Sequence, residues 1–87
     1  MASYTIKWKA SAKKELKKID KKEIPKILKA VESLAIDPHP ANHKKLLGTD
    51  HIYRIRIGNY RVVYFLEDNE LIIEIVRVKH RKDVYKK

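Results

Sequence analysis

Residues Tyr53 to Arg61 read Tyr-Arg-Ile-Arg-Ile-Gly-Asn-Tyr-Arg. Apolar and basic residues alternate on both sides of a Gly-Asn pair. Period two is the pattern of a half-buried β-strand. A two-residue, glycine-containing loop between two such runs predicts a tight hairpin. The register then follows by counting. With Gly58 and Asn59 as the loop, Ile57 faces Tyr60, Arg56 faces Arg61, Ile55 faces Val62, Arg54 faces Val63, and Tyr53 faces Tyr64.

Cross-strand partners share a face of the sheet. One face therefore carries Tyr53, Ile55, Ile57, Tyr60, Val62 and Tyr64, a core face. The other sets Arg56 against Arg61, with Arg54 two residues along. Like charges directly opposite each other destabilise a hairpin, so stability alone does not place them there. Two readings stand side by side. The arginines form an anion site, since guanidinium groups bind phosphate bidentately, or they form a solvated basic strand face.

The chain has 87 residues, which predicts one domain spanning 1–87. A domain of this size buries roughly 60–65% of its unfolded surface, enough for one modest core and no deep enclosed pocket. Without cysteine there is no disulfide framework and no thiolate chemistry, and four histidines alone argue against a zinc centre. No metal or cofactor is expected. No continuous apolar run approaches a membrane span, and the N-terminus has no hydrophobic signal core. The expectation is a soluble cytoplasmic protein with no membrane partner. The net charge is +10, with 21 Lys and Arg against 11 Asp and Glu. Such an excess concentrates polyanions around the protein, so nucleic acid or an acidic protein is the expected partner.

Tyr4 to Trp8 alternates as a short strand. Ser11 is a candidate N-cap, and Ala12, Leu16 and Ile19 recur at helical spacing, predicting a first helix from about Ser11 to Ile19. Asp20-x-x-Glu23 has the form of a capping box. Pro25 is tolerated only in a first helical turn, so a second helix is expected to begin between Lys22 and Ile24. Its apolar stripe is Ile24, Ile27, Leu28, Val31 and Leu34, and Asp37-Pro38 ends it. Pro38 to Gly48 reads as a loop, in which His39 and His43 are exposed and Lys44 and Lys45 add charge before the arginine hairpin.

After the hairpin, Tyr60–Glu67 and Leu71–Lys79 are expected to pair with Leu66 opposite Leu71. That register sets Tyr64 against Ile73, Val63 against Glu74 and Arg61 against Val76, with Glu74 close to Arg54. The chain closes on His80-Arg81-Lys82-Asp83-Val84-Tyr85-Lys86-Lys87.

The run Tyr53 to Tyr64, joined to His80-Arg81-Lys82-Asp83-Val84-Tyr85, resembles the RelE family of toxins from toxin–antitoxin pairs, within the RelE/ParE superfamily. The likeness covers nearly the whole chain. It implies a small α+β domain in which two N-terminal helices pack on one face of a twisted, mainly antiparallel, four-stranded sheet. It also implies a metal-independent endoribonuclease that cuts mRNA in the A site of the 70S ribosome and is held inactive by a RelB-like antitoxin. By position, the resemblance assigns RNA or phosphate binding to Arg54 and Arg56, with Lys44 and Lys45 nearby. It assigns catalysis to Arg61, Arg81 and Tyr85.

The implied reaction is attack of a ribose 2′-OH on the adjacent phosphate. Arginine suits the developing negative charge but not proton abstraction, because its pKa lies above about 12. Lysine is the family's usual residue where this chain has Arg54 and Arg56. His80 titrates near neutrality when unperturbed and is the expected proton carrier. The rival readings are a ParE-type toxin that inhibits DNA gyrase and cuts nothing, and a plain RNA-binding protein.

Overall fold

The computed structural model describes residues 3–46, 48 and 50–82. Strand β1 (Thr5–Trp8) leads into helix α1 (Ala10–Lys17) and helix α2 (Ile24–Leu34). Four strands follow: β2 (His43–Lys45), β3 (Ile52–Ile57), β4 (Tyr60–Glu67) and β5 (Ile72–His80). They form one sheet in the order β1-β5-β4-β3-β2. Strand β1 runs parallel to its neighbour, β5, and the other pairs are antiparallel. Among the described residues the sheet has five strands and not four. The extra one is His43–Lys45, inside the segment whose prolines suggested a loop. Pro40 lies just before it, and its carbonyl accepts the His43 amide at 2.9 Å, so the turn ends where pairing begins.

The hairpin register is the expected one at every position from Tyr53↔Tyr64 to Ile57↔Tyr60. Gly58 has φ +58° while Asn59 keeps a negative φ, as in hairpin turns with glycine first. The helices lie over the face that carries Ile55, Val62, Tyr64, Leu66, Ile73, Ile75 and Val78. These pack with Ala12, Ile27, Val31 and Leu34 into one buried cluster. An isolated helix of 8 or 11 residues would not persist in water. The apolar stripe of α2 makes it stable, each fully buried Ile, Val or Leu contributing about 1.5–3 kcal/mol.

Local signals at the helix ends resolve differently from expectation. Lys9, not Ser11, precedes the first turn of α1, and neither helix has a side-chain cap. The α1 backbone starts directly from the last β1–β5 bond, Lys9 N to Ile75 O at 3.0 Å, which puts Ser11 inside the helix. Asp20 caps a turn instead of a helix: its Oδ1 accepts the Lys22 amide at 3.0 Å.

The β4–β5 register also departs from expectation. The turn spans four residues, 68–71, so Glu67 pairs with Ile72, Leu66 with Ile73 and Tyr64 with Ile75. Leu71 adopts φ +56°, a left-handed conformation that leucine rarely takes; its side chain gave no sign of it. An irregularity between Val63 and Tyr64 then leaves Val76 as an extra residue on β5. Beyond that bulge Val63 pairs with Arg77, Val62 with Val78, Arg61 with Lys79 and Tyr60 with His80. Glu74 consequently sits across from Phe65 and not beside Arg54; Arg77 takes the place expected for it.

Candidate functional site

The alternation in the hairpin leaves Arg54, Arg56 and Arg61 on the face that the helices do not cover. The bulge brings two more cations there. Before it, odd-numbered residues of β5 face the core (Ile73, Ile75); after it, even-numbered Val78 does. Lys79 therefore lands directly across from Arg61, which is across from Arg56. Three cations stand in a row over three adjacent strands, with opposing Cα atoms about 5 Å apart. A parallel row runs Lys44, Arg54, Val63, Arg77. Lys79 and Arg77 escaped the sequence reading because a two-residue turn without a bulge gives β5 the wrong register.

Each cation is held differently. Arg61 turns back on the hairpin, its Nη1 donating to Tyr60 O at 3.1 Å and, more weakly, to Gly58 O at 3.4 Å. Lys79 Nζ lies 3.1 Å from Glu15 Oε2 of α1. The Arg54 Nε is buried without a hydrogen-bond partner, and a buried donor left unmet costs about 1–3 kcal/mol. Arg54 borders an open concavity of about 490 Å³, also lined by Asn42, Lys44, Arg56 and Gly58. Asn42 secures the rim, donating through Nδ2 to Arg56 O at 2.7 Å. An anion in this concavity would find several cationic donors at once.

The remaining expected residues divide. Arg81 is close at hand: its amide donates to Asn59 O at 2.7 Å, which ties the end of β5 to the hairpin turn. His80 is not brought onto the arginine face. It pairs with Tyr60, their rings 5.6 Å apart and edge to face. It lines a cavity of about 280 Å³ with Asp20, Glu23 and Lys26. Its Nδ1 accepts the Lys82 amide at 3.2 Å. Lys45 pairs with Tyr53, on the helix side, and reaches Asp50 at 3.5 Å. Tyr85 lies outside the described residues.

His39 is exposed in the loop as expected, whereas His43 lies on β2 and is half-buried. Their rings meet at 5.2 Å and both lean on Tyr53, which stacks on Tyr64 at 5.9 Å. His43 Nδ1 lies 2.6 Å from Pro40 O. This cluster is packing at the sheet edge. Burial pushes the Tyr64 phenol well above its ordinary value, and neighbouring Tyr53 and Asp37 add to the effect.

The family model of the ParE toxin of type II toxin–antitoxin systems matches residues 6–85. A chain named RelE1 from Methanocaldococcus jannaschii is 34% identical over 76 residues, covering 84% of each chain. Toxin RelG of Mycobacterium tuberculosis is 30% identical and covers 97% of this chain and 98% of its own. This chain belongs to the RelE family of type II toxins. The RelE fold follows as well. The archaeal RelE in a RelE–RelB complex from Pyrococcus horikoshii superposes with a TM-score of 0.82 at 29% identity, over 94% of this chain and 99% of that one. The exposed arginine face is thus a feature of a RelE-like toxin. Among the described residues no helix is long and apolar enough to cross a membrane.

Proposed function

We propose that this toxin is an endoribonuclease that cuts mRNA in the ribosomal A site: a ribose 2′-OH gives up its proton and attacks the neighbouring phosphate, the P–O5′ bond breaks, and the leaving 5′-oxygen takes up a proton, which leaves a 2′,3′-cyclic phosphate. The observation that carries the reading is the row Arg56–Arg61–Lys79 on one exposed face, beside the turn to which Arg81 is tied. In such a reaction negative charge grows on the phosphate oxygens, and fixed cations lower the barrier because they are already oriented. Arg61 is the central clamp, and Lys79 and Arg81 flank it. Arg54, Arg56 and Lys44 hold the RNA backbone across the concavity. Tyr85 stacks on a splayed base or holds the 2′-OH; base–aromatic stacking is worth about 1–3 kcal/mol. His80, with its ring on Tyr60 and its Nδ1 on the Lys82 amide, keeps the end of β5 in place so that Arg81 stays at the turn. An open sheet cannot enclose substrate or exclude water by itself, so the ribosome supplies codon positioning. No metal takes part in this scheme.

The Pyrococcus horikoshii relative is seen with RelB. We extend that to a RelB-like antitoxin for this chain, with the free toxin a monomer. The cationic face, with an apolar floor at Val63 and Val76, suits an acidic and apolar segment.

Primer extension on programmed ribosomes, with and without the purified protein, tests the proposal. A new cut within the A-site codon, absent from naked mRNA, is expected. A protein that leaves mRNA intact but traps DNA gyrase on DNA is a ParE-type inhibitor, and one that binds RNA without a new 3′ end is a plain RNA binder.

A further inference from the structure

We propose that Glu15, on α1, is a positioning residue that fixes Lys79 at the outer end of the phosphate-binding row; this role rests on the cleavage reading above. Strand β1 covers the outer edge of β5 only as far as Trp8↔Ile75. From Val76 onward no strand of the described residues lies beside that edge, yet this half of β5 carries Lys79 and His80 and leads into Arg81. Glu15 fills the gap. Its Oε1 accepts the Val78 amide at 2.8 Å, and its Oε2 holds Lys79 Nζ at 3.1 Å. One carboxylate thereby replaces a missing backbone partner and anchors the ammonium of the very next residue.

The exposure of the pair argues that this contact is more than a surface ion pair. The Glu15 side chain is 19% exposed and that of Lys79 38%. Exposed pairs are worth little because water screens them and long side chains resist ordering. Here the carboxylate is largely withdrawn from water and already fixed by a backbone N–H, so the lysine alone must be ordered. The need is also specific. Lys79 stands directly opposite Arg61, and a flexible four-carbon stem beside a like charge would swing into solvent. An ammonium has three donors, so one held by Glu15 leaves two for a phosphate oxygen. Glu15 also offsets one of the three charges in the row.

Glu15→Gln is the discriminating change. The amide oxygen still accepts the Val78 N–H, so the fold is kept, but the hold on Lys79 disappears. Cleavage on programmed ribosomes should then fall on the order of tenfold in kcat while KM stays within about twofold, the pattern of a group needed in the transition state rather than for binding. In a Lys79→Ala background the same change should have no further effect, because coupled residues are non-additive. Glu15→Ala should add a loss of thermal stability that Glu15→Gln does not show. The role is overturned if Glu15→Gln leaves kcat within about threefold of wild type or raises it, or if its effect survives undiminished without Lys79. A wild-type protein that makes no cut at all overturns the cleavage reading itself, and this role with it.

Discussion

Tyr64 shows how one buried polar group sets a pH limit on the fold. Its side chain is fully buried, and its hydroxyl donates to Pro38 O at 2.7 Å, tying the segment after α2 to the middle of the sheet. Burial disfavours the tyrosinate, so the folded-state pKa is raised. The unfolded phenol ionises near pH ~10. Above that pH the unfolded chain binds fewer protons than the native one, and stability must fall as pH rises. Stability is therefore expected to be flat through neutrality on account of this group and to drop above pH ~10. Tyr64→Phe should cost about 1–2 kcal/mol at neutral pH, because Pro38 is deprived of its partner. It should also flatten the alkaline fall. Urea titrations of both proteins from pH ~7 to ~11 measure this; parallel alkaline limbs would show that another group governs it. The alternation of the sequence alone places Tyr64 on the core face. Its partner was not legible, since nothing local brings Pro38 back across 26 residues.

At the level of elements, the hairpin was legible to the residue because glycine and alternation fix the loop and register together. The β4–β5 pair was not. Its turn uses Leu71 in a left-handed conformation, and its bulge residue is an ordinary valine. Strand β2 was hidden by two prolines, Pro38 and Pro40, that both turned out to precede it. These errors bear on function, because they decide whether Val76 or Lys79 stands across from Arg61. The hairpin arginines were legible in the sequence, and Lys79 and Arg77 were not, for that reason alone. The bulge suggests a direct test. Deleting Val76 should leave an uninterrupted ladder, with Val63 still opposite Arg77 and Arg61 still opposite Lys79, since the partners on either side already match. The expected cost is about 0.5–3 kcal/mol, the ordinary range for a single change. Nuclear Overhauser effects between Val62 and Val78 should persist. Their disappearance would mean that the bulge sets the register and is more than a tolerated extra residue, as bulges often are.

The whole molecule gathers its positive charge in two groups. The arginine rows occupy the open face of the sheet. Helix α1, whose Glu15 meets Lys79 at the edge of β5, turns Ala12 and Leu16 inward and leaves Lys13, Lys14, Lys17 and Lys18 exposed. Lys21 and Lys22 continue this ridge toward α2. A short single-stranded RNA on the arginine face leaves the lysine ridge unused, whereas the ribosome offers polyanion on several sides. On the proposed cleavage of ribosome-bound mRNA, the two surfaces should then be separable in kinetics. Changing Lys13, Lys14, Lys17 and Lys18 together to Gln should weaken capture of ribosomes and flatten its salt dependence by up to ~0.9 in log–log slope for each phosphate that the ridge no longer neutralises. Turnover at saturating ribosomes should stay the same, since the remote lysines bind ground and transition states alike. Arg61→Ala should do the reverse, lowering turnover on the order of 10²-fold, as expected for removal of one oriented charge-stabilising group, with little change in capture. Turnover against ribosome concentration at two ionic strengths reads both. A lysine variant whose turnover falls as steeply as its capture would mean that the ridge acts in the chemical step, and the division of labour between the two faces would fail.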